Sequence, residues 1–220
     1  MGRRDIPWAG VITYLRISLI LMLPFLPAQA QSLDQLAPVS RIVIQIDAAI
    51  EDQRFLEPLQ KRLMADLAPP LEIGKLTGDF NLSPSFLGKV DSNALIEQIW
   101  NSLDRSADLD VIHIFLIKED MNGNNSEFLF ANSYGGVAED LKIIVISLSR
   151  LKADDYHLTA ARVSKMIIKN TARVAGYMSS NRCVFGFPRS VEELDSLPDS
   201  WCEPDRSLLA EGGIARAQNP

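Results

Sequence analysis

The chain has 220 residues, 47% of them hydrophobic and 23% charged, which excludes collagen-like, coiled-coil and wholly disordered architectures. A formal net charge of −6 argues against a nucleic-acid partner, which needs a basic face. Two Cys and two His cannot supply a three-His zinc centre or a four-Cys site.

Arg3, Arg4 and Arg16 precede an apolar run over 17–26, and Pro27-Ala28-Gln29-Ala30 follows it. A basic start, a short apolar core and a small-x-small junction predict a secretory signal over 1–30, cut after Ala30. An uncleaved anchor would need about 20 apolar residues, and Arg16 interrupts the one stretch that long. The mature protein is then periplasmic or secreted, with no membrane attachment. Cleavage removes three Arg and one Asp, so the formal charge goes from −6 to −8 on a one-domain chain. In an oxidising compartment Cys183 and Cys202 are expected to pair rather than act as thiols.

Residues 31–40 read as a flexible lead-in. Arg41-Ile-Val-Ile-Gln-Ile46 is β-branched and predicts a strand. Phe55, Leu56, Leu59, Leu63 and Met64 recur at helical spacing over 52–65, and a second strand follows Pro69-Pro70 over 71–76. Strand, helix and strand at this spacing imply a crossover onto a parallel sheet. Residues 78–90 read as loop. Asp91 or Ser92 caps a helix that carries Leu95, Ile96, Ile99 and Leu103 on one face. Val111-Ile-His-Ile-Phe-Leu-Ile117 predicts a central strand buried on both faces.

After a polar turn, Glu127, Phe128, Leu129, Phe130 and Ala131 read as an edge strand, and 141–147 as a further sheet strand. A long helix over 159–177 turns Ala160, Val163, Met166, Ile167, Val174 and Tyr177 inward, with Lys165, Lys169 and Arg173 on the other side. Residues 183–205 read as irregular apart from a short helix over 191–194, and 206–220 as a disordered tail.

Cys183-Val184, seventeen further residues and Cys202 resemble the end of the archaemetzincin signature, H-E-x-x-H-x-x-G-x-x-H-C-x₄-C-M-x₁₇-C-x₂-C. Ser190-Val-Glu-Glu-Leu-Asp195, Pro198 and Trp201 also look like that family. Upstream, Tyr134-Gly-Gly136 with Ile143-Ile-Val-Ile-Ser147 and Arg150-Leu151 is similar to its edge strand and neighbour, and Ser92-Asn-Ala-Leu-Ile-Glu97 to a helix after its long loop. The likeness spans 41–205. It implies an α/β, zincin-like mixed sheet packed on long helices, with an irregular, disulfide-stapled C-terminal segment.

In that family two His at i and i+4 on one helix face bind Zn²⁺, and the intervening Glu acts as general base. Aligning Gly176 with the motif's glycine puts Lys169 and Arg173 at the helix His positions, Asn170 at the Glu and Ser179 at the third His. An ungapped register puts Ile167, Ile168, Thr171 and Tyr177 there instead. Neither register contains a His or a carboxylate, and fixed cations repel Zn²⁺. Of the family's second zinc site, Cys183 and Cys202 match two ligands, while Ser180 or Met178 and Asp205 take the others. A Cys183–Cys202 bridge replacing that ion would stabilise the fold by roughly 3 kcal/mol.

His113, inside an apolar strand, reads as a core imidazole, and His157 as a cap or surface residue. No Ser lies in a G-x-S-x-G elbow. Asp120-Met-Asn122-Gly-Asn124 begins like a calcium loop, but Asn125 and Ala131 stand where Gly and a bidentate Glu are needed, so a hairpin turn is read. Asn81-Leu-Ser83 and Asn124-Asn-Ser126 fit the glycosylation pattern. Lys165, Lys169 and Arg173, with Lys152, Arg162, Arg182 and Arg189, form either a solvated face or the lining of the family's former cleft. In the second case the resemblance implies a non-catalytic, cofactor-free module. It would bind an extended peptide or an anionic ligand through Lys169, Arg173 and the 127–131 edge. The alternatives are an active zinc-dependent peptidase with atypical ligands, and a sensor working with a partner protein.

Overall fold

Strands form where β-branched residues run together, and helices where apolar residues return every third or fourth position. In this computed structural model the described residues are 36–217, apart from 79, 84–87, 105, 107, 124–125, 140, 180–182 and the side chains of 126–128. The expected signal segment, the first half of the lead-in, Ser180 and Arg182 lie outside them.

In chain order the elements are β1 (Arg41–Ile46), α1 (Leu56–Asp66), β2 (Leu71–Lys75), β3 (Val90–Asp91), α2 (Ser92–Ser102), β4 (Val111–Ile117), β5 (Met121–Gly123), β6 (Ser126–Leu129), β7 (Ala131–Tyr134), β8 (Lys142–Ser147), α3 (Tyr156–Val174), α4 (Val191–Ser196) and α5 (Asp205–Glu211). The main sheet has the order β2-β1-β4-β8-β7, parallel except for β7, and a small second sheet has the order β3-β5-β6. The fold class is therefore the expected α/β mixed sheet.

β4 is buried at all seven positions because both faces are covered. Ile112, Ile114 and Leu116 pack with Leu59 and Leu63 of α1 and with Val163 and Ile167 of α3. On the other face Phe115 and Ile117 pack with Leu95, Ile96 and Ile99 of α2. Each such side chain stabilises the fold by about 1.5–3 kcal/mol. Asp91 caps α2 by accepting from the amides of Asn93 and Ala94, and Asp155 caps α3 by accepting from His157. Among the described residues no helix is long and apolar enough to cross a membrane.

The structure corrects three expectations. The apolar run 127–131 is not one edge strand. It divides at Phe130, so that Glu127, Phe128 and Leu129 belong to β6, which pairs with β5, while Ala131 opens β7 at the edge of the main sheet. The Phe130 carbonyl accepts from the Ser147 amide, and a run of apolar residues cannot show that it passes between two sheets. The expected tail from Arg206 contains α5, with Leu209, Ile214 and Ala215 buried. Its end is tied to α1, where the Ala68 amide donates to Ile214 and the Arg216 amide to Asp66.

Lys165 and Lys169 are not on a solvated side: their exposures are 4% and 6%. The segment after Cys183 covers that flank of α3, adding Val184, Phe185, Leu194, Trp201 and Leu209 to the core. The disulfide between Cys183 and Cys202 staples the segment, with Cα atoms 5.9 Å apart. Inside it Asp66 accepts from Arg206 at 2.7 Å and from Ser200, a buried charge given its hydrogen-bond partners.

Candidate functional site

A cavity of about 1130 Å³ opens between α2, α3, the β6–β7 stretch and residues 187–189. Two facing helix stripes make its long walls. From α3 come Met166, Lys169, Asn170 and Arg173, and from α2 come Asn93, Ile96, Glu97 and Trp100. Both sets follow i, i+3, i+4, i+7 spacing, which places four side chains on one helix face. Leu129 to Tyr134 form the third wall, and Phe187, Pro188 and Arg189 the fourth. Gly135 lets the end of β7 approach α3. At its φ of +151° an added Cβ would lie 2.9 Å from the Val174 Cβ.

α3 places Lys169, Asn170 and Arg173 on one wall of the cavity, and Leu129, Phe130 and Ala131 line it with them. The sequence reading did not find Glu97, Trp100, Asn132, Tyr134 or Phe187. The α2 stripe was legible as a second helical face beside the core face, but nothing in the sequence says which face a cavity will take. Arg189 of the proposed cationic row also lines the cavity, Lys152, Arg162 and Lys165 do not, and Arg182 lies outside the described residues. Arg162 forms a two-point pair with Asp195, at 2.8 and 2.6 Å. Lys165 donates to the carbonyls of Leu194 and Asp195 and lies 3.2 Å from the Asp199 carboxylate. Lys152 lines a separate pocket at the start of α3.

The Lys169 Nζ donates to the Gly186 carbonyl at 2.7 Å and sits 3.8 Å from the centroid of the Phe187 ring. Burial, and then the neighbouring Arg173 charge, push its amine down to about 8. The Asn170 amide donates to the Met166 carbonyl at 2.8 Å, within its own helix. Arg173 and Arg189 are exposed at the cavity rim. Glu97, also exposed, is the one carboxylate among the described lining residues.

The β7 edge is partly self-satisfied. By the alternation of an antiparallel ladder, the Phe130–Ser147 hydrogen bond turns the main-chain groups of Ala131 and Ser133 away from β8. The Ser133 amide already donates to Asn132 Oδ1 at 2.9 Å. Asn132 Nδ2 in turn donates to Ser92 Oγ and Asn93 Oδ1, both at 3.0 Å, and Ser92 Oγ donates to the Asn122 carbonyl. This relay locks the edge strand to the first turn of α2.

The residues of the α3 stripe do not fit Zn²⁺: they present an ammonium, a carboxamide and a guanidinium, with no imidazole or carboxylate. Among the described residues no three His, Cys, Asp or Glu gather. His113 lies in the core of β4, with Nε2 3.4 Å from Asp108, beyond good hydrogen-bond geometry. Burial lowers its pKa, and Asp108 opposes that shift. His157 is exposed and stacks on Tyr156. At the place of the second ion, both Cys are spent in the disulfide, and Asp205 accepts from the Tyr177 hydroxyl at 2.7 Å. Burial first, and then that bond, raise the Tyr177 pKa. Asp120, the first residue of the calcium-like stretch, is engaged by Arg150 at the base of the β5–β6 hairpin.

No protein-family model matches the chain, and no curated protein matches it. Solved structures do. The archaemetzincin from Archaeoglobus fulgidus, complexed with malonate, aligns over 76% of this chain and 99% of its own, with a TM-score of 0.57 and 22% identity. The archaemetzincin from Methanopyrus kandleri covers 78% and 94%, with a TM-score of 0.60 and 16% identity. A zinc-dependent peptidase from Methanocorpusculum labreanum covers 76% and 99%, with a TM-score of 0.59 and 16% identity. The fold of this chain is archaemetzincin-like.

Proposed function

We propose that this archaemetzincin-like fold serves as a non-hydrolytic receptor for carboxylate-bearing ligands, an extended peptide or a small anion, held between β7, α2 and α3. One observation carries the reading: Lys169 and Arg173 on the α3 stripe, with Arg189 beside them, face a cavity whose one described carboxylate is Glu97. Cations in a partly enclosed, low-dielectric site bind carboxylates by charge-assisted hydrogen bonds and repel a divalent metal. The malonate held by the Archaeoglobus fulgidus protein supports a carboxylate as occupant. The Ala131 main chain offers an extended peptide a short stretch of sheet edge, and Trp100 and Phe130 offer it apolar surface. Export completes the reading. It rests on the signal-like residues 1–30, and a disulfide is the kind of bond an oxidising compartment sustains.

Titration with malonate and with an acidic extended peptide, followed by calorimetry and Trp100 fluorescence, tests this. Binding should weaken with salt and at least tenfold in Arg173→Glu. The purified protein should carry well under one zinc per chain. No binding of either probe, or binding indifferent to Arg173→Glu and Arg189→Glu, overturns the receptor reading. Stoichiometric zinc with peptidase activity overturns its non-hydrolytic part.

A further inference from the structure

Lys169 is placed to do more than carry charge. A neutral amine has two N–H bonds and one lone pair. The Gly186 carbonyl at 2.7 Å and the face of the Phe187 ring take the two N–H bonds, which leaves the lone pair for the cavity that Lys169 lines. Lys165, one turn earlier and just as buried, differs: its ammonium has three acceptors, the Leu194 and Asp195 carbonyls and the Asp199 carboxylate. A buried lysine beside a second cation is also the arrangement that favours a nucleophilic amine, and Arg173 stands one turn along the same stripe.

We propose that Lys169 forms an imine with small aldehydes or α-keto acids that carry a carboxylate, with Arg173 holding that carboxylate. Nζ attacks the carbonyl carbon, and the carbon–oxygen π pair moves to oxygen as the C–N bond forms. The carbinolamine takes one proton from solvent and loses its hydroxyl as water, leaving the protonated imine. No oxidant or reductant is consumed. With the amine held down to about 8, a working fraction is neutral near physiological pH.

The inference rests on the cleft reading for its use of Arg173, and two probes separate them. The protein is treated with glyoxylate and cyanoborohydride, which reduces any imine to a stable secondary amine, and is mapped by peptide mass spectrometry. Lys169 should take the label at least tenfold faster than exposed Lys61 and Lys152, and Lys165 should stay unlabelled. Wild-type mapping alone decides this, and Arg173→Gln should slow labelling about tenfold. Labelling that follows exposure, with Lys61 and Lys152 ahead of Lys169, overturns the proposal. Malonate, which has no aldehyde or ketone carbonyl to condense with an amine, is then added as competitor. Malonate binding with Lys169 unlabelled overturns the imine and leaves the receptor. Lys169 labelled with neither malonate nor the acidic extended peptide competing keeps the imine and overturns the receptor.

Discussion

The two flanks of α3 use the same residue types for opposite ends. On the covered flank Lys165 and Arg162 meet Asp199, Asp195 and main-chain carbonyls from the stapled C-terminal segment. On the open stripe, one turn away, Lys169 meets a single carbonyl and an aromatic face, and Arg173 stands at the rim of a cavity. Partners, not residue type or burial, decide which lysine is structural. A buried cation given a carboxylate is a fastening, and one left short of acceptors is a site.

Opening the disulfide tests the covered flank hardest. The Cys183→Ser, Cys202→Ser double variant should lose about 3 kcal/mol in urea unfolding. Lys165→Met should cost about 2 kcal/mol, because two carbonyls lose their donor while the exposed Asp199 returns to water. On the open stripe the effect should depend on pH. The Lys169 amine is held down to about 8, against an ordinary 10.5. Between those values the unfolded chain binds a proton that the folded chain does not, so unfolding free energy rises with pH over that window. Lys169→Met should remove its share of the rise. Buried Lys142 shifts in the same direction, so the difference between wild type and variant is the quantity to measure. The smallest effect belongs to Arg173→Gln, with stability within about 0.5 kcal/mol of wild type even as malonate affinity falls. A large loss of stability there would erase the distinction between the flanks.

The layers were legible because β4 and β8 are runs that only a doubly covered sheet tolerates, and because Asp91 marks a helix start; the long helix, read from Thr159, begins three residues earlier, where Asp155 caps it. The α3 stripe of Lys169, Asn170 and Arg173 was legible from the resemblance and from helical spacing. The edge strand was not: Ala131-Asn-Ser-Tyr134 is polar, and it forms a strand because it pairs with β8 and because Asn132 anchors it. Nor was the burial of the lysines. What covers α3 lies at least nine residues beyond its end, at and after Cys183, and helical periodicity describes one face at a time. The role of α5 was hidden for a similar reason, since a short polar helix shows no stripe strong enough to predict its docking on α1.

The Asn132 side chain has a consequence for solubility. A sheet border with every donor and acceptor on offer invites a second copy of the chain to add its own strand, and the addition can repeat without limit. Here the Ser133 donor is already plugged from within the strand, and the plug is bolted to a helix. What remains is too short to template polymerisation and long enough to grip a brief guest.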